Sequence, residues 1–230
     1  MSTNFRGLLT SRWTKVLLFA LCLAPFAHLA AVALAYVLQP DLSTSAWRFF
    51  VPTLPPNPLD FFTHLTGDWT IRFIVITLAV TPLRKLLGLP DLIRFRRMVG
   101  LFAFFYGSLH FLTYLWFDKL FDLHEIWKDV AKRPFITAGF TAFVLMIPLA
   151  LTSTKGWIGR LGGKSWQNLH RLIYGTAIAA VVHYYWLVKS DVRLPLLYGV
   201  LVAAALLYRV VASLMRSARR RTAAVKPVAA

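Results

Sequence analysis

The 230-residue chain is 58% hydrophobic and has a mean hydropathy of +0.60, whereas a soluble domain is about 45–50% apolar. This surplus of apolar residues excludes a single soluble domain and indicates a polytopic membrane protein. The net charge of +17 does not indicate nucleic-acid binding, because the basic residues lie between the apolar runs and at the two ends, where they set topology and face anionic membrane lipid.

The sequence predicts an all-α bundle of six transmembrane helices. Each apolar segment can cross a hydrocarbon core of about 30 Å at about 1.5 Å per residue. The first segment has a basic start and an Ala-Leu-Ala near residue 35, as a secretory signal does, but its apolar run is longer than the about 7–15 residues of a signal, so we interpret it as an uncleaved span. The predicted spans are about 14–38, 64–83, 98–117, 134–152, 168–188 and 194–213.

Lysine and arginine counts in the connections predict that both termini are cytoplasmic. Basic residues dominate the N-terminus, the connections after the second and fourth spans, and the C-terminal segment. The connections 39–63, 118–133 and 189–193 carry few or balanced charges. The strict alternation between the two kinds of connection fixes the predicted orientation of every span.

The predicted domain organisation is a cytoplasmic N-terminus at 1–13, a six-helix domain at 14–213 and a basic cytoplasmic tail at 214–230. The outer side carries a proline-rich loop at 39–63 and an amphipathic helix at 118–132, which we expect to lie on the outer surface. The apolar residues near one face of that helix are Leu120, Leu123 and Trp127.

The candidate cofactor ligands are histidines, because the single cysteine, Cys22, excludes haem attached through Cys-x-x-Cys-His. His110 lies about seven residues from the outer end of the third span and His183 about four or five from that of the fifth, so their depths differ by about 4 Å. Two imidazoles facing each other at one depth can bind haem iron from both sides. The alternative is that both only form hydrogen bonds between helices.

His170 lies in the same predicted span as His183 but 13 residues earlier, so on an ideal helix the two do not share a face, and it lies roughly 20 Å nearer the cytoplasm. It could ligate a second, inner haem, contact a haem propionate or a flavin phosphate, or simply lie in the interface. Arg96, Arg97 and Arg171 lie at a similar depth and could neutralise such an anion.

The other histidines have weaker patterns. His64 begins the second span near the outer face, where it is an alternative haem ligand, a propionate contact or a helix-start residue at the headgroup level. His28 lies within the first span and is either a polar contact between helices or a ligand. His124 lies in the outer amphipathic stretch and is interpreted as solvated.

Four stretches together resemble the MsrQ family, formerly called YedZ, within the wider ferric-reductase-like transmembrane family. The resemblance extends from about residue 13 to the end of the sixth span. The stretches are "VTPLRKLLGLPDLIRFRRMVGL" (80–101), "GSLHFLTYLWFD" (107–118), "LTSTKGWIGRLGGKSWQNLHRLIY" (151–174) and "VVHYYW" (181–186).

This resemblance implies a haem-bearing subunit of the bacterial inner membrane. Such proteins carry b-type haem and pass electrons from the quinone pool, or from a cytosolic flavin source such as a flavin reductase, to the periplasmic molybdenum subunit MsrP, which reduces methionine sulfoxide in oxidised proteins. The family's haem-linked histidines map onto His110, His170 and His183, and His64 matches its "HxTG" pattern. The family is also credited with FMN, but no stretch of this sequence is identifiable as the FMN site.

The function expected from these patterns is electron conduction: a subunit with one or two b haems that is not itself the catalytic reductase. We expect the outer loop and outer helix to dock the partner. One rival is a stand-alone ferric reductase or oxidase, which usually carries a cytosolic FAD/NADPH module that is not seen here. The other is a cofactor-free transporter or scaffold, which the lack of Asp or Glu at the span centres disfavours, Asp68 being near an end.

Overall fold

The computed structural model describes residues 11–38, 51 and 53–225, and every regular element within these ranges is helical. A 3-10 turn at Pro90–Leu92 leads into the third helix, and a π-helical turn at Tyr114–Asp118 follows it. The α-helices are α1 (Arg12–Leu38), α2 (Pro58–Leu86), α3 (Ile93–Thr113), α4 (Leu123–Lys132), α5 (Pro134–Leu151), α6 (Lys155–Leu161), α7 (Gly163–Leu169), α8 (Leu172–Leu187) and α9 (Arg193–Val225).

Four of the described helical segments are long and apolar enough to span a membrane, and they correspond to the predicted first, third, fourth and sixth spans. The predicted second span falls in α2, whose apolar run contains Asp68 and Arg72. The predicted fifth falls in α8, whose 16 residues extend about 24 Å. The chain is an all-helical membrane protein, and the six-span count stays a prediction. The four segments are Arg12–Leu38, Pro90–Asp118, Pro134–Leu151 and Arg193–Arg219.

Helix α2 begins at Pro58, before the predicted start of the second span at residue 64. The side chain of Asn57 caps it by accepting a hydrogen bond from the Asp60 amide, and proline at the first helical position sacrifices no helical hydrogen bond. Because of this earlier start, Asp68 is well inside α2, while its predicted place near an end of the second span stays a prediction. Asp68 lies about 15 Å into α2.

The predicted span 168–188 is divided in the structure. His170 lies in a turn between α7 and α8, where its amide donates to the carbonyl of Trp166. The expectation that His170 and His183 share one continuous helix is therefore wrong. At the other end of the chain, α9 continues to Val225, beyond the predicted end of the sixth span at residue 213.

The core lies between two packed helix pairs. α2 packs along α3 and α5 packs along α8, while α3 meets α5 and α2 meets α8. α1 lies against α2 and α3, and α9 against α2 and α8. Tyr106, Ile74 and Leu78 are among the fully buried side chains, and stacked rings such as Phe111 and Phe143, 4.7 Å apart, fill the space between α3 and α5.

A buried tyrosine joins α1 to α3. Pro25 has no amide hydrogen, so it cannot continue the hydrogen-bond ladder of α1. The hydroxyl of Tyr106 donates to the carbonyl of Cys22 (2.9 Å) and accepts from the amide of Phe26 (3.0 Å). In an unbroken helix this carbonyl and this amide would form a hydrogen bond with each other. Tyr106 of α3 therefore supplies a polar partner next to Pro25, where the hydrogen bonding of α1 is weakened.

The outer segment after α3 differs from the predicted helix at 118–132. Leu120 and Phe121 have positive φ angles of 45° and 62°, a left-handed conformation that no helix continues through. The helix starts only at Leu123, where the Asp122 side chain accepts hydrogen bonds from two amides. Leu120 therefore precedes the helix. The prediction that Leu120 lies on the apolar face of that helix is wrong.

Asp129 of α4 fixes this segment to the bundle. Its carboxylate lies 2.6 Å from Lys119 Nζ and 3.3 Å from Arg133 Nε. The hydroxyl of Tyr114 donates to it at 3.4 Å. The Asp129 and Lys119 side chains are only 10% and 13% exposed, so this is a shielded ion pair at the end of α3.

The predicted outer loop, 39–63, lies mostly outside the described residues. Val51 is described and is buried against Val32 and Ala35 near the end of α1. The hydroxyl of Tyr36 also donates to the carbonyl of Pro55. The chain entering α2 therefore packs on the outer end of α1.

Candidate haem site

Two histidines from different helices face each other inside the bundle. His110 projects from the last turn of α3 and His183 from the second half of α8. Their ring centroids are 6.1 Å apart, and the ring planes are inclined by 72°. The structure therefore brings together the two histidines that the depth argument placed at one level.

Backbone carbonyl groups orient both rings. Nδ1 of His110 lies 3.0 Å from the carbonyl oxygen of Thr63, and Nδ1 of His183 lies 2.6 Å from that of Phe135. A carbonyl oxygen can only accept, so Nδ1 carries the hydrogen in each neutral ring. Nε2 is then left with a free lone pair, which is the arrangement found in metal-binding histidines.

Two glycines give the rings their space. A Cβ placed on Gly67 of α2 would lie 3.0 Å from the His110 ring, and one placed on Gly139 of α5 would lie 2.7 Å from the His183 ring. Real Cβ atoms essentially never show the distance at Gly139, and the distance at Gly67 is tighter than nearly all real Cβ contacts. Each helix therefore approaches a histidine ring at a position where only glycine leaves that ring undisturbed.

The two rings line a cavity of about 630 Å³, which is within the usual size range of cofactor pockets, about 300–1,000 Å³. Most of its wall is apolar and comes from α2, α3, α5 and α8, with a polar rim at the outer end. Apolar or small lining residues at the level of the histidines include Ile71, Gly107, Phe143, Met146 and Ala180.

The residues present fit a haem. A metal–imidazole bond is about 2 Å long and the ring centroid lies about 1 Å behind the nitrogen, so two imidazoles on opposite sides of one metal ion have centroids about 6 Å apart. Within the described part of the chain, no group of three or more His, Cys, Asp or Glu side chains could hold a bare ion. A porphyrin needs only two axial ligands from protein, and this pair can supply them.

His64 lies at the outer rim of the same cavity and not between the two rings. Its Nε2 is 3.3 Å from Asp60 Oδ1, one helical turn away, and both side chains are more than half exposed. The structure therefore places His64 where it can reach a polar edge of a bound group, while His110 and His183 face each other without it.

His170 lies away from this cavity, and no second histidine faces it among the described residues. Its Nε2 is 3.1 Å from Thr152 Oγ1, and its ring stacks on Trp166 at 3.9 Å between centroids. The indole of Trp166 in turn donates to the carbonyl of Thr152. This histidine is thus held in a small network of its own, apart from the cavity.

Two of the three arginines predicted near His170 act on its ring. Arg96 and Arg97, at the start of α3, lie close enough to act electrostatically on the His170 ring. Arg96 is half-buried, while Arg97 and Arg171 are exposed. The structure therefore places positive charge beside His170.

The two remaining histidines lie outside both networks. His28 is exposed on α1 and meets the edge of Phe61 at 5.9 Å. His124 is exposed in the first turn of α4. Neither lines the cavity.

Sequence reasoning missed the groups that position the two rings. The carbonyl groups of Thr63 and Phe135 leave no signal in a sequence, because every residue has a carbonyl. Gly67 and Gly139 carry a usable signal, since a glycine within an apolar helix often marks a close approach. Which ring each glycine faces needs the structure.

Comparisons with known proteins identify the family of this chain. A family model described as "Ferric reductase like transmembrane component" matches residues 66–181, which include all the cavity-forming helices in whole or part. No solved structure matches the chain.

Several curated relatives are similar over most of the chain, and each is named protein-methionine-sulfoxide reductase heme-binding subunit MsrQ. The one from Herminiimonas arsenicoxydans is 51% identical over 198 residues, covering 85% of this chain and 84% of its own. That from Caulobacter vibrioides is 48% identical, covering 74% and 80%, and that from Bordetella pertussis 52%, covering 69% and 78%. The chain therefore belongs to the MsrQ family of haem-binding subunits of protein-methionine-sulfoxide reductase, within the ferric-reductase-like transmembrane proteins.

Proposed function

We propose that this protein is the electron-transfer subunit of a methionine sulfoxide reductase system of the bacterial inner membrane. His110 and His183 hold one haem b, and electrons pass through it to a periplasmic, molybdenum-dependent reductase of the MsrP type that repairs oxidised proteins. The observation that carries this proposal is the facing pair of imidazoles, each with Nδ1 held by a carbonyl. The names of the relatives support the haem and the reductase.

The chain's own contribution is ligation, orientation and exclusion of water. A haem bound there supplies one-electron chemistry. If His110 and His183 both ligate the iron, no coordination site would remain for oxygen or substrate, which would favour electron transfer over oxygen activation. The apolar wall keeps water from the reacting centre.

Electron entry requires a second redox group or a donor that reaches the cavity. We expect the quinone pool, or a cytosolic flavin reductase, to be the donor. His170 lies on the cytoplasmic side together with Arg96, Arg97 and Arg171, a combination suited to a second haem or to the phosphate of FMN. Since Nε2 of His170 is bonded to Thr152, ligation of a second haem there would need that bond to open.

The partner reductase is expected to dock on the outer surface. The loop at 39–63 and the segment 118–132 form that side of the protein if both termini are cytoplasmic. Glu125, Lys128 and Lys132 give α4 a polar exposed face, and the cavity rim lies beside it through Tyr114 and Val130. An electron leaving the histidine pair would therefore have a short path to a partner bound there.

Reconstitution tests this function. The protein is placed in liposomes, a short-chain hydroquinone is supplied as donor, and a periplasmic methionine sulfoxide reductase is added outside with a methionine-sulfoxide peptide. We expect peptide reduction that depends on the membrane subunit and is lost in His110→Ala and His183→Ala. Equal peptide reduction without the membrane subunit, or with either variant, would refute the proposal.

A further inference from the structure

An ion pair lies deep in α2, at the level of the histidine pair. Asp68 and Arg72 are one turn apart, with Asp68 Oδ2 3.1 Å from Arg72 Nη2. Gly67, the residue before Asp68, contacts the His110 ring. Charged side chains within a membrane segment are costly and commonly mark a functional site, yet axial ligation of haem uses neither of them.

Arg72 is held from several sides, which keeps its guanidinium beside Asp68. Its Nε donates to the hydroxyl of Tyr198 on α9 at 3.3 Å, and its guanidinium lies 4.9 Å from the Trp69 ring centroid. Asp68 itself lines the cavity together with Tyr184 of α8, and the two side chains are close enough to interact. A pair that served only to brace the helices would not need its carboxylate in the cavity wall.

Titratable side chains continue from Asp68 to the outer surface. Asp60, His64 and Asp68 are spaced four residues apart, so they follow one slowly winding face of α2, with neighbouring Cβ atoms about 6 Å apart. All three line the cavity. His64 and Asp60 are in contact at 3.3 Å and are 61% and 64% exposed. This series therefore connects the depth of the histidine pair with outer water.

We propose that Asp68 is the proton acceptor of a hydroquinone site at the edge of the cavity between α2 and α8, and that His64 and Asp60 carry the protons outward. This inference rests on the proposed function, because it names how one donor class would deliver its electrons. A donor that loses only electrons would need no such series, whereas a hydroquinone cannot be oxidised without losing protons.

The reaction balances as follows. The two O–H bonds of the hydroquinone break and two C=O bonds form, which releases two protons and two electrons. A haem held by His110 and His183 would take the electrons one at a time, and the partner reductase would be their final acceptor. Each proton passes to the Asp68 carboxylate and then outward. The hydroxyl becomes strongly acidic as its electron leaves, so a nearby carboxylate is a sufficient base.

Single-turnover kinetics test the assignment. The haem-loaded protein is mixed without oxygen with a short-chain hydroquinone, and haem reduction is followed by absorbance. Asp68→Asn removes the base, and a general base is worth about 10²–10⁴ in rate, so we expect reduction at least about 100-fold slower than in wild type. Haem content and reduction by dithionite should be unchanged. Asp191→Asn, which removes an exposed acid just before α9 and outside the cavity, should reduce at the wild-type rate.

Two further measurements separate proton acceptance from binding. Asp68→Asn should bind the oxidised short-chain quinone within about threefold of wild type, because an amide still forms hydrogen bonds. In liposomes with ferricyanide outside as an acceptor that takes up no protons, a pH dye outside should record two protons per hydroquinone oxidised, after the rate in protein-free liposomes is subtracted. Proton release into the lumen of correctly oriented liposomes would overturn the assignment.

The failures of the two proposals are distinguishable. If wild type and Asp68→Asn reduce equally fast, Asp68 is not the acceptor and the electron-transfer function stands. If hydroquinone fails to reduce wild type while a flavin donor drives peptide reduction, the hydroquinone site is overturned and the function again stands. If Asp68→Asn loses haem, two other variants test the proposal. We expect haem reduction about tenfold slower than wild type in His64→Gln and near the wild-type rate in Asp68→Glu. An unchanged rate in His64→Gln would overturn the proposal.

Discussion

Single residues determine whether the two imidazoles can face each other. Gly67 and Gly139 leave room for the rings of His110 and His183, and the carbonyl of Phe135 holds the second ring in place. None of these groups touches a cofactor in the proposal. They position the residues that do, so their replacement should act on haem binding and leave the fold intact.

Replacing Gly139 with alanine tests this positioning role. A Cβ 2.7 Å from Nδ1 of His183 must push the ring away from the Phe135 carbonyl. We expect Gly139→Ala to keep less than about half of the wild-type haem per protein, since loss of an orienting contact typically costs about 10–100-fold in metal affinity. Haem is measured by absorbance after purification in detergent.

Gly100→Ala is the matched control, because its Cβ would meet Thr77 at an ordinary 3.6 Å. That variant should bind haem as wild type does. Full haem content in Gly139→Ala would show that His183 tolerates the displacement and would contradict its assignment as a ligand fixed in place.

The sequence predicted one part of the site, namely that His110 and His183 lie at the same depth. Their depths along two predicted spans placed His110 and His183 at one level, and the structure has their rings 6.1 Å apart; their ligation of haem stays a prediction. His170 was misplaced because the sequence of 168–188 is uniformly helix-compatible, and the turn at that residue depends on how α7 packs, which local propensity does not report.

At the scale of elements, the outer segment depends on one shielded acid. The hydrogen bond from Lys119, followed by the charge of Arg133, holds the pKa of the Asp129 carboxyl below its ordinary value. A carboxyl with a lowered pKa in the folded state stabilises the fold fully above its ordinary pKa of about 3.9. That contribution is lost as the pH falls through the lowered value.

Asp129→Asn should therefore lower the stability of the detergent-solubilised protein at pH 7. Breaking a shielded pair by removing one partner costs about 3–5 kcal/mol, since Lys119 is left unpaired. The melting temperature of wild type should exceed that of the variant at pH 7, and the difference should shrink as the pH falls below about 4.

Glu125→Gln provides the comparison on the same helix. Its partner Lys128 is about as exposed as Glu125 itself, and an exposed pair contributes little to stability. A pH-independent difference for Asp129→Asn, or one no larger than that of Glu125→Gln, would contradict the role given to this acid.

Element boundaries were less predictable than element identity. The sequence indicated every long helix, but α2 starts earlier because Asn57 and Pro58 form an N-terminal cap. The outer helix starts later because Leu120 and Phe121 adopt left-handed conformations. The first signal was readable in the sequence; the second was not, since Leu and Phe rarely take positive φ angles.

For the whole molecule, composition and charge predicted an all-helical membrane protein, and this is confirmed. The six-span topology with cytoplasmic termini is a further prediction, because two of the helices concerned, α2 and α8, are respectively charged and short. Both features coincide with the candidate site: Asp68 and Arg72 lie in α2 beside the cavity, and α8 carries His183. The two helices that do not meet the criteria for a membrane span are therefore two of those that form the candidate site.

Accessible cysteines test the topology. Lys128→Cys on the outer helix should react with a membrane-impermeant maleimide in intact spheroplasts, whereas Arg160→Cys and Ser217→Cys should react only after permeabilisation. Wild type should stay unlabelled, because Cys22 is buried. Labelling of Ser217→Cys in intact spheroplasts would place the C-terminus outside and contradict the predicted orientation.

The central claim is that His110 and His183 together hold one haem. It is tested most directly by reduced-minus-oxidised absorbance spectra of wild type, His110→Ala, His183→Ala and His170→Ala, at equal protein concentration. We predict a sharp b-type spectrum in wild type and loss of that signal in both His110→Ala and His183→Ala. His170→Ala should keep the signal, and it should lose about half of the total haem if a second haem is bound. Loss of the signal in only one of the first two variants, or its survival in both, would contradict the account.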